Sequence, residues 1–286
     1  MHHNCNYFFQ EPEIGDPVHN PRFTGARREF SLKYDTYQYV PLLKSLRQLL
    51  RDPSVQNEIN QCSKRIHSNG VLEDFCDGEL FQSHPLFSQN PNALQIIAYF
   101  DEVELCNPLG THVKKHKLGI VFFTLGNIHP KYRSSLRVIH LVLAVTTPIM
   151  EKYGMDLILQ PFIRDLKILA SQGITMQIDG REHTYYRVAL IAFLADNLAS
   201  HMLGGFKESF SFALHICRTC MVTRDQYKCA FNIAHIPRRS MSLHKEQCKL
   251  LSSPLGDHYS KTYGINRQSA LLDIPHFINI QWGIAA

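Results

Sequence analysis

The chain has 286 residues, of which 44 % are hydrophobic and 19 % charged, with 30 Lys and Arg residues against 25 Asp and Glu. This length can bury one large core or two modest ones, and the net charge of +5 is compatible with a polyanionic partner. The longest apolar run, residues 188–195, is too short to span a membrane, and no apolar signal region opens the sequence. We therefore expect neither secretion nor a membrane partner.

The first 92 residues predict an irregular and helical N-terminal segment. Residues 1–38 contain several prolines and glycines, which break the periodicity of a strand or a helix. From Pro41 the leucines recur on one helical face, and the Asp52-Pro53 pair ends that helix and begins another.

Residues 93–210 predict an α/β core. The run 94–100 is apolar on both alternating faces, which is typical of a strand buried on both sides of a sheet. Two further apolar runs, residues 118–125 and 136–145, follow after short turns. Three strands with short connections predict an antiparallel meander.

A helix and a second buried strand complete this core. Because Pro161 disfavours an earlier start, the helix is predicted over residues 162–171, and a hairpin turn is predicted at Asp179-Gly180. The run 188–195 is again apolar on both faces. A crossover helix allows this strand to lie parallel to the first one, which gives the mixed sheet of an RNase H-like fold.

Each of these two buried strands leads to an aspartate, Asp101 or Asp196. A carboxylate on a central strand needs protonation, hydrogen bonds, or a metal or other cation to offset its burial. Asp101 is therefore interpreted as a metal-binding carboxylate, with a solvent-exposed strand end as the alternative. Asp196 is either its partner or the N-cap of a helix that begins at Asn197, and both interpretations remain open.

Three blocks of sequence resemble the CACTA (En/Spm)-type DNA transposases: residues 99–110, which run from Tyr-Phe-Asp to Asn-Pro-Leu-Gly, residues 193–197 and residues 216–220. The resemblance extends over roughly residues 71–277, and the order of the blocks is more specific than any one of them. It implies a cut-and-paste transposase of the DDE type that acts on DNA, with Asp101 and Asp196 as the first two ligands of catalytic Mg²⁺ or Mn²⁺.

The sequence departs from that family at the third acid. The family has a Glu beyond the segment that residues 271–277 resemble, whereas no Glu follows Glu246 here. We therefore expect a C-terminally truncated copy that binds DNA but lacks full strand-transfer activity, with the catalytic metal held weakly. The alternative is a non-catalytic, zinc-stabilised module that binds DNA or protein. A homo-oligomer is compatible with either hypothesis.

A cluster of Cys and His residues predicts a structural zinc site in residues 211–286. Cys217-x-x-Cys220 is followed, after 23 residues, by His244-x-x-x-Cys248, and both pairs have the spacing of zinc ligands. Cys229 is an alternative to any one of the four. A redox C-x-x-C is a competing interpretation, and so is a chance grouping of unrelated residues. The resemblance supports zinc, because that family carries a zinc-binding insertion after its second acid.

The other cysteines and the basic residues complete the set of candidates. With no visible secretory signal, the chain is expected in a reducing compartment, the nucleus or the cytoplasm. Four cysteines are interpreted as ordinary thiols: Cys5, Cys62, Cys76 and Cys106. The candidate DNA-phosphate ligands are Lys114, Lys115 and Lys117, with Arg238-Arg239 as a second basic pair. The alternative for each group is a solvated surface.

Overall fold

The computed structural model describes most of the chain, with short gaps. The described ranges are 9–24, 27–62, 71–104, 117–176, 184–209, 212–229, 232, 234–277 and 283–285. Within these ranges, none of the helices is long and apolar enough to cross a lipid bilayer.

An antiparallel ribbon lies near the N-terminus, formed by β1 (Glu13–Thr24) and β2 (Arg27–Thr36). The prediction of an irregular segment was therefore wrong for this region. A two-stranded ribbon has free edges, so Pro17 and Pro21 can lie in β1 without removing a hydrogen bond from a larger sheet. The pairing shifts register between Ile14 and Val18, the interval that contains Pro17.

The predicted N-terminal helices are confirmed. The chain forms β3 (Gln38–Tyr39), α1 (Leu42–Leu49), α2 (Pro53–Cys62) and, after a 3-10 turn at Phe75–Asp77, α3 (Glu79–Ser83). The Asp52 carboxylate accepts a hydrogen bond from the Ser54 backbone N–H at 2.8 Å, as expected of a residue that begins α2. The Asp165 carboxylate accepts from the Leu42 N–H at 2.8 Å and from the Tyr39 hydroxyl at 2.7 Å, which fixes the start of α1.

The remaining elements form an α/β unit around one mixed sheet. In chain order they are β4 (Leu94–Glu104), β5 (Lys117–Leu125), β6 (His140–Thr146), α4 (Thr147–Tyr153), α5 (Met155–Ile158), α6 (Gln160–Gln172), β7 (Ile174–Met176), β8 (Thr184–Tyr186), β9 (Val188–Leu194), α7 (Asn197–Gly204), α8 (Arg224–Cys229), α9 (Met241–Leu250), α10 (Gly256–Tyr263) and β10 (Ile284–Ala285). The described strands of the main sheet follow the order β10-β9-β4-β5-β6-β3. β4, β5 and β6 are antiparallel neighbours, whereas β9 is parallel to β4 and to β10. The predicted meander and the predicted parallel pair are both confirmed.

Helix α6 packs against this sheet and buries its apolar face. The rings of Phe162 on α6 and Phe193 on β9 meet edge to face at 6.5 Å, and both side chains are fully buried. The helix begins two residues earlier than predicted, because Pro161 occupies its first turn, where a missing N–H removes no helical hydrogen bond. β7 and β8 are antiparallel neighbours, as the two strands of a hairpin are. The predicted turn at Asp179-Gly180 lies outside the described residues.

The segment between β9 and β10 contains the predicted zinc ligands. It leaves the sheet at the end of β9 and returns at β10, where the Phe193 N–H donates to the Gly283 carbonyl oxygen at 2.6 Å. Along the chain, helices α7 to α10 thus connect β9 to β10, which are neighbouring parallel strands of the sheet.

Candidate functional site

Asp101, within β4, and Asp196, two residues beyond the end of β9, lie at the same level of two adjacent parallel strands. The last paired residues of β4 and β9 are Tyr99 and Leu194, and each aspartate lies two residues beyond its member of that pair. The two predicted acids are therefore brought to equivalent positions.

A β-bulge in β9 produces this alignment. Between two successive pairs of the ladder, β9 contains one residue more than β4, and Ile191 is the extra residue. If Ile191 instead paired regularly with Ile97, the register would place Ala195 at the level of Asp101 and move Asp196 one position away. The bulge is thus the local feature that aligns the two carboxylates.

Both carboxylates are exposed, and each uses one oxygen in a local hydrogen bond. Asp101 Oδ1 accepts from the Glu102 N–H at 2.9 Å, and Asp196 Oδ1 accepts from the Ala199 N–H at 2.6 Å as the N-cap of α7. The N-cap interpretation of Asp196 is confirmed. Neither Oδ2 atom accepts a hydrogen bond from the residues that the structure describes, so capping leaves one oxygen of Asp196 available to a ligand.

The two aspartates line one cleft, of about 510 Å³, together with side chains from α4, α7 and β5. Its acidic lining residues are Asp101, Glu102, Glu151, Asp196 and Glu208. Its cationic lining residues are Lys117 and Arg267. Five carboxylates against two cations give the cleft an excess of negative charge, which favours cations and repels phosphates.

Each of the two cationic side chains of the cleft forms an ion pair, one with a carboxylate of the cleft and one with a carboxylate outside its lining. Lys117 Nζ lies 3.4 Å from Glu102 Oε2, and Arg267 Nε lies 3.2 Å from Asp156 Oδ2. Burial raises the pKa of Glu208, the Arg267 guanidinium opposes this shift, and the Glu102 carboxylate adds to it. Glu208 therefore holds its proton more tightly than a solvated Glu does.

Arg267 is held in the cleft wall by the end of α7. Its Nη2 donates to the Met202 carbonyl oxygen at 2.9 Å. Gly205 ends α7 with φ +74°, and a Cβ atom there would lie 2.3 Å from the Arg267 carbonyl oxygen. Only glycine fits this close approach without displacing the Arg267 backbone.

A complete three-acid metal site is not formed in the part of the chain that the structure describes. No three His, Cys, Asp or Glu side chains there lie close enough together to hold one metal ion. In this arrangement, Asp101 and Asp196 form at most an incomplete ligand set for Mg²⁺ or Mn²⁺.

Four charged residues of the cleft were not predicted from the sequence: Glu102, Glu151, Glu208 and Arg267. Glu151 lies on α4 and could have been considered from its place after the third strand. Glu208 and Arg267 lie in connections without periodicity, and only the folded chain brings them beside Asp101.

Two of the predicted zinc ligands lie one turn apart on α9. His244 Nε2 and Cys248 Sγ are 3.5 Å apart, and both side chains are buried. Two adjacent ligands of a tetrahedral zinc ion, with a nitrogen at about 2.0 Å and a sulfur at about 2.3 Å, are separated by roughly this distance. This pair therefore has the spacing of two zinc ligands, but in the described part of the chain no third candidate ligand lies close enough to complete the group.

The other two predicted ligands, Cys217 and Cys220, interact through their side chains. Cys217 Sγ lies 3.1 Å from Thr219 Oγ1 and accepts from the Thr219 N–H at 3.4 Å. Burial raises the pKa of Cys217, but these hydrogen bonds, with others from Cys220, outweigh burial and lower it. A lowered pKa favours the thiolate, which is the form that binds metals.

Arg239 lies beside both pairs, and its side chain is 3 % exposed. The prediction that it contacts DNA phosphates was wrong, because its guanidinium is directed inward to backbone carbonyl groups. Burial lowers the pKa of Arg239 to about 10, while the sulfurs of Cys217, Cys220 and Cys248 oppose this shift. The three thiols thus lie near one buried positive charge.

The predicted DNA-binding lysines are only partly described. Lys114 and Lys115 lie outside the described residues, whereas Lys117 begins β5 and lines the acidic cleft. Lys117 is therefore the one of the three whose surroundings are defined.

Comparison with known proteins adds no further assignment. No protein-family model matches this chain, and no curated protein matches it either. The fold and the cleft define an α/β protein with a mixed sheet and an acid-lined cleft at the ends of two parallel strands.

Proposed function

We propose that this chain is a transposon-derived, DNA-binding protein of the DDE transposase type. In this proposal the sheet is RNase H-like, with Asp101 and Asp196 as two ligands of Mg²⁺ or Mn²⁺. The strand order supports this. β4, β5 and β6 form an antiparallel meander, and β9 and β10 lie on the opposite side of β4, with β9 parallel to β4. Zinc bound by residues between β9 and β10 stabilises the fold.

The observation that carries the proposal is the matched register of the two aspartates. Two acids that each lie two residues past the same strand pair, and that line one cleft, are what a shared metal site requires. An ordinary N-cap explains Asp196 alone, but it does not explain why Asp101 lies at the same level.

The charge of the cleft supports a metal-dependent mode of DNA binding. Five carboxylates repel a phosphodiester, so phosphate can approach only after divalent cations neutralise the lining. Metal ions would activate the attacking oxygen and stabilise the leaving oxygen, while Lys117 at the cleft edge contacts a neighbouring phosphate.

The polypeptide by itself is proposed to be inactive in strand transfer. No third acid completes the metal site among the described residues. The loss of one ligand leaves the second ion weakly held and the charge of the leaving oxygen uncompensated.

Mn²⁺ binding tests the paired-acid site, with free Mn²⁺ measured by electron paramagnetic resonance. Asp101→Asn and Asp196→Asn should each abolish the weak binding of the wild-type chain. Asn caps a helix as well as Asp does, so Asp196→Asn leaves α7 intact. Asp257→Asn, at an exposed position outside the cleft, is the matched control and should bind as the wild type does. Equal Mn²⁺ binding by all four proteins would reject the site.

A cleavage assay with transposon-end DNA in Mn²⁺ tests the inactivity. Neither the wild-type chain nor Asp101→Asn should cut the DNA. Metal-dependent cutting that disappears in Asp101→Asn would contradict the proposal of inactivity, and Glu151→Gln and Glu208→Gln would then show which cleft residue completes the site.

The second candidate function is a non-catalytic, zinc-stabilised module that binds DNA or protein. The buried Arg239 beside three thiols favours it, because that group contributes to the fold independently of the cleft. The two functions differ in one measurement: in the second, DNA or protein binding persists in the Asp101→Asn variant and without Mg²⁺ or Mn²⁺.

A further inference from the structure

Two cysteines outside the cleft lie in contact with each other. Cys62 ends α2, and Cys76 lies in the 3-10 turn Phe75–Asp77, 14 residues later. Their sulfur atoms are 3.6 Å apart. This proximity was not predicted, because the spacing of the two residues corresponds to no disulfide or metal motif.

The two thiols have different surroundings. Cys62 is 5 % exposed, whereas Cys76 is half-buried and therefore accessible to a small reagent. Gln95 Nε2 donates a hydrogen bond to Cys76 Sγ at 3.3 Å. Cys76 is thus the accessible member of the pair, and Cys62 lies directly behind it.

The neighbours of Cys76 favour its thiolate. The hydrogen bond with Cys62 lowers the pKa of Cys76 to about 7 against the opposing effect of burial, and Gln95 and the Arg133 charge contribute in the same direction. Asp74 raises this pKa, but Arg133 Nη2 is paired with the Asp74 carboxylate at 2.5 Å, which partly neutralises it. An accessible, thiolate-prone cysteine beside a second cysteine is the arrangement found in redox-responsive proteins.

We propose that Cys62 and Cys76 are a reversible disulfide site that is oxidised by small-molecule disulfides such as glutathione disulfide. The Cys76 thiolate attacks one sulfur of the reagent, forms a mixed disulfide and releases one glutathione thiolate. Cys62 then loses its proton to solvent and attacks Cys76 Sγ, which forms the Cys62–Cys76 bond and releases the second glutathione. Two protein thiols are oxidised, and one disulfide is reduced to two thiols.

Formation of the bond requires a limited movement of the two side chains. The sulfur atoms must approach from 3.6 Å to about 2.0 Å, the length of a disulfide bond. The product joins the end of α2 to the turn that precedes β4. In a reducing compartment this disulfide is a transient response to oxidation rather than a permanent link.

The test treats the full chain with glutathione disulfide near pH 7.5, blocks free thiols by alkylation and maps disulfides by peptide mass spectrometry. In the wild type, the peptides of Cys62 and Cys76 should become linked, with the loss of two hydrogen atoms. In Cys62→Ser, Cys76 should instead retain one glutathione. In Cys76→Ser, Cys62 should remain a free thiol. Circular dichroism checks that both variants keep the fold.

Cys229, an exposed thiol, is the internal control and should form only a mixed disulfide with glutathione. Dithiothreitol should restore both thiols of the wild type. The proposal is overturned if Cys76 of the wild type stops at the mixed disulfide as Cys229 does, or if neither Cys62 nor Cys76 reacts while Cys229 does.

Discussion

The guanidinium of Arg239 donates from Nε to the carbonyl oxygen of Cys217 over 2.8 Å, deep inside the C-terminal half of the chain. No Asp or Glu in the described part of the chain forms an ion pair with it, and the charges that act on it come from the sulfurs of three cysteines. Three thiolates and one neutral imidazole around Zn²⁺ would carry a net charge of −1. If the proposed zinc ion binds here, the positive charge of Arg239 would offset it.

Replacement of Arg239 by Gln should therefore weaken both the fold and zinc binding. The substitution removes the buried charge and the hydrogen bonds to backbone carbonyl groups such as that of Tyr263, at a cost of about 3 kcal/mol. Urea denaturation measures the stability, and competition with a chelator measures the zinc affinity. The exposed Lys245 on α9 provides the control, since Lys245→Gln should change neither value. Equal behaviour of the two variants would contradict a counter-charge role.

The zinc assignment predicts one ion per chain, bound by Cys217, Cys220, His244 and Cys248. Cys220→Ser should release the ion and unfold the C-terminal third, because metal binding and local folding are coupled. Zinc content after purification and resistance to proteolysis are the measurements.

Cys229→Ser is the matched control for this zinc prediction. Cys229 is exposed at the end of α8, so its loss should leave the zinc content unchanged. Zinc loss in this variant, with retention in Cys220→Ser, would move the ligand assignment to Cys229.

Acid should destabilise the protein partly through His84. Burial lowers the pKa of this side chain below its usual 6.5. Nδ1 accepts from the Leu86 N–H at 3.1 Å, so Nε2 carries the proton and donates to the His276 carbonyl oxygen at 2.9 Å. Because the unfolded chain takes up the proton first, this contribution to stability is complete above pH 6.5 and is lost as the pH falls through the folded pKa.

Urea denaturation at pH 7 and pH 5 measures this effect of His84. His84→Gln keeps a donor for the His276 carbonyl group and should reduce the loss of stability between the two pH values. His258→Gln, at an exposed position on α10, should lose stability on acidification as the wild type does. If the two variants show the same dependence on pH, His84 is not the group responsible.

DNA binding should depend on salt through the loop that carries the candidate phosphate ligands Lys114, Lys115 and Lys117. Each phosphate contact contributes roughly −0.9 to the slope of log K against log salt. Replacement of Lys114, Lys115 and Lys117 together by Ala should flatten the slope by about two to three units, and Lys117→Ala alone by about one. Lys131→Ala, at an exposed position beyond the other end of β5, is the control. An unaltered slope in the triple variant would mean that this loop is a solvated turn.

The main sheet was largely predictable because its signals are local. A run that is apolar on both faces, such as residues 94–100, can be stable only between two layers, and a crossover helix leaves a parallel partner as the simplest arrangement. The ribbon at residues 13–36 was missed because Pro17 and Pro21 break a local pattern, although they fit a strand with a free edge.

The candidate site was predictable only where its residues belong to a local sequence pattern. Asp101 and Asp196 stand out in the sequence because each interrupts an apolar strand pattern, whereas Glu208 has no such context. Likewise, the basic pair at Arg238-Arg239 suggests a surface, yet Arg239 is buried beside the cysteines. The sequence of a basic pair does not indicate which of its two side chains faces the interior.

The sequence by itself determined the strands β4, β5, β6 and β9, the two aspartates that interrupt the apolar patterns of β4 and β9, and the pairs of candidate zinc ligands, because apolar alternation and ligand spacing are properties of short segments. Only the tertiary structure decided that Ile191 bulges and so aligns Asp196 with Asp101, that further carboxylates line the cleft, and that Cys62 meets Cys76. These relations join residues that are far apart in the chain. They depend on register and packing, which are set by the whole core rather than by any local pattern.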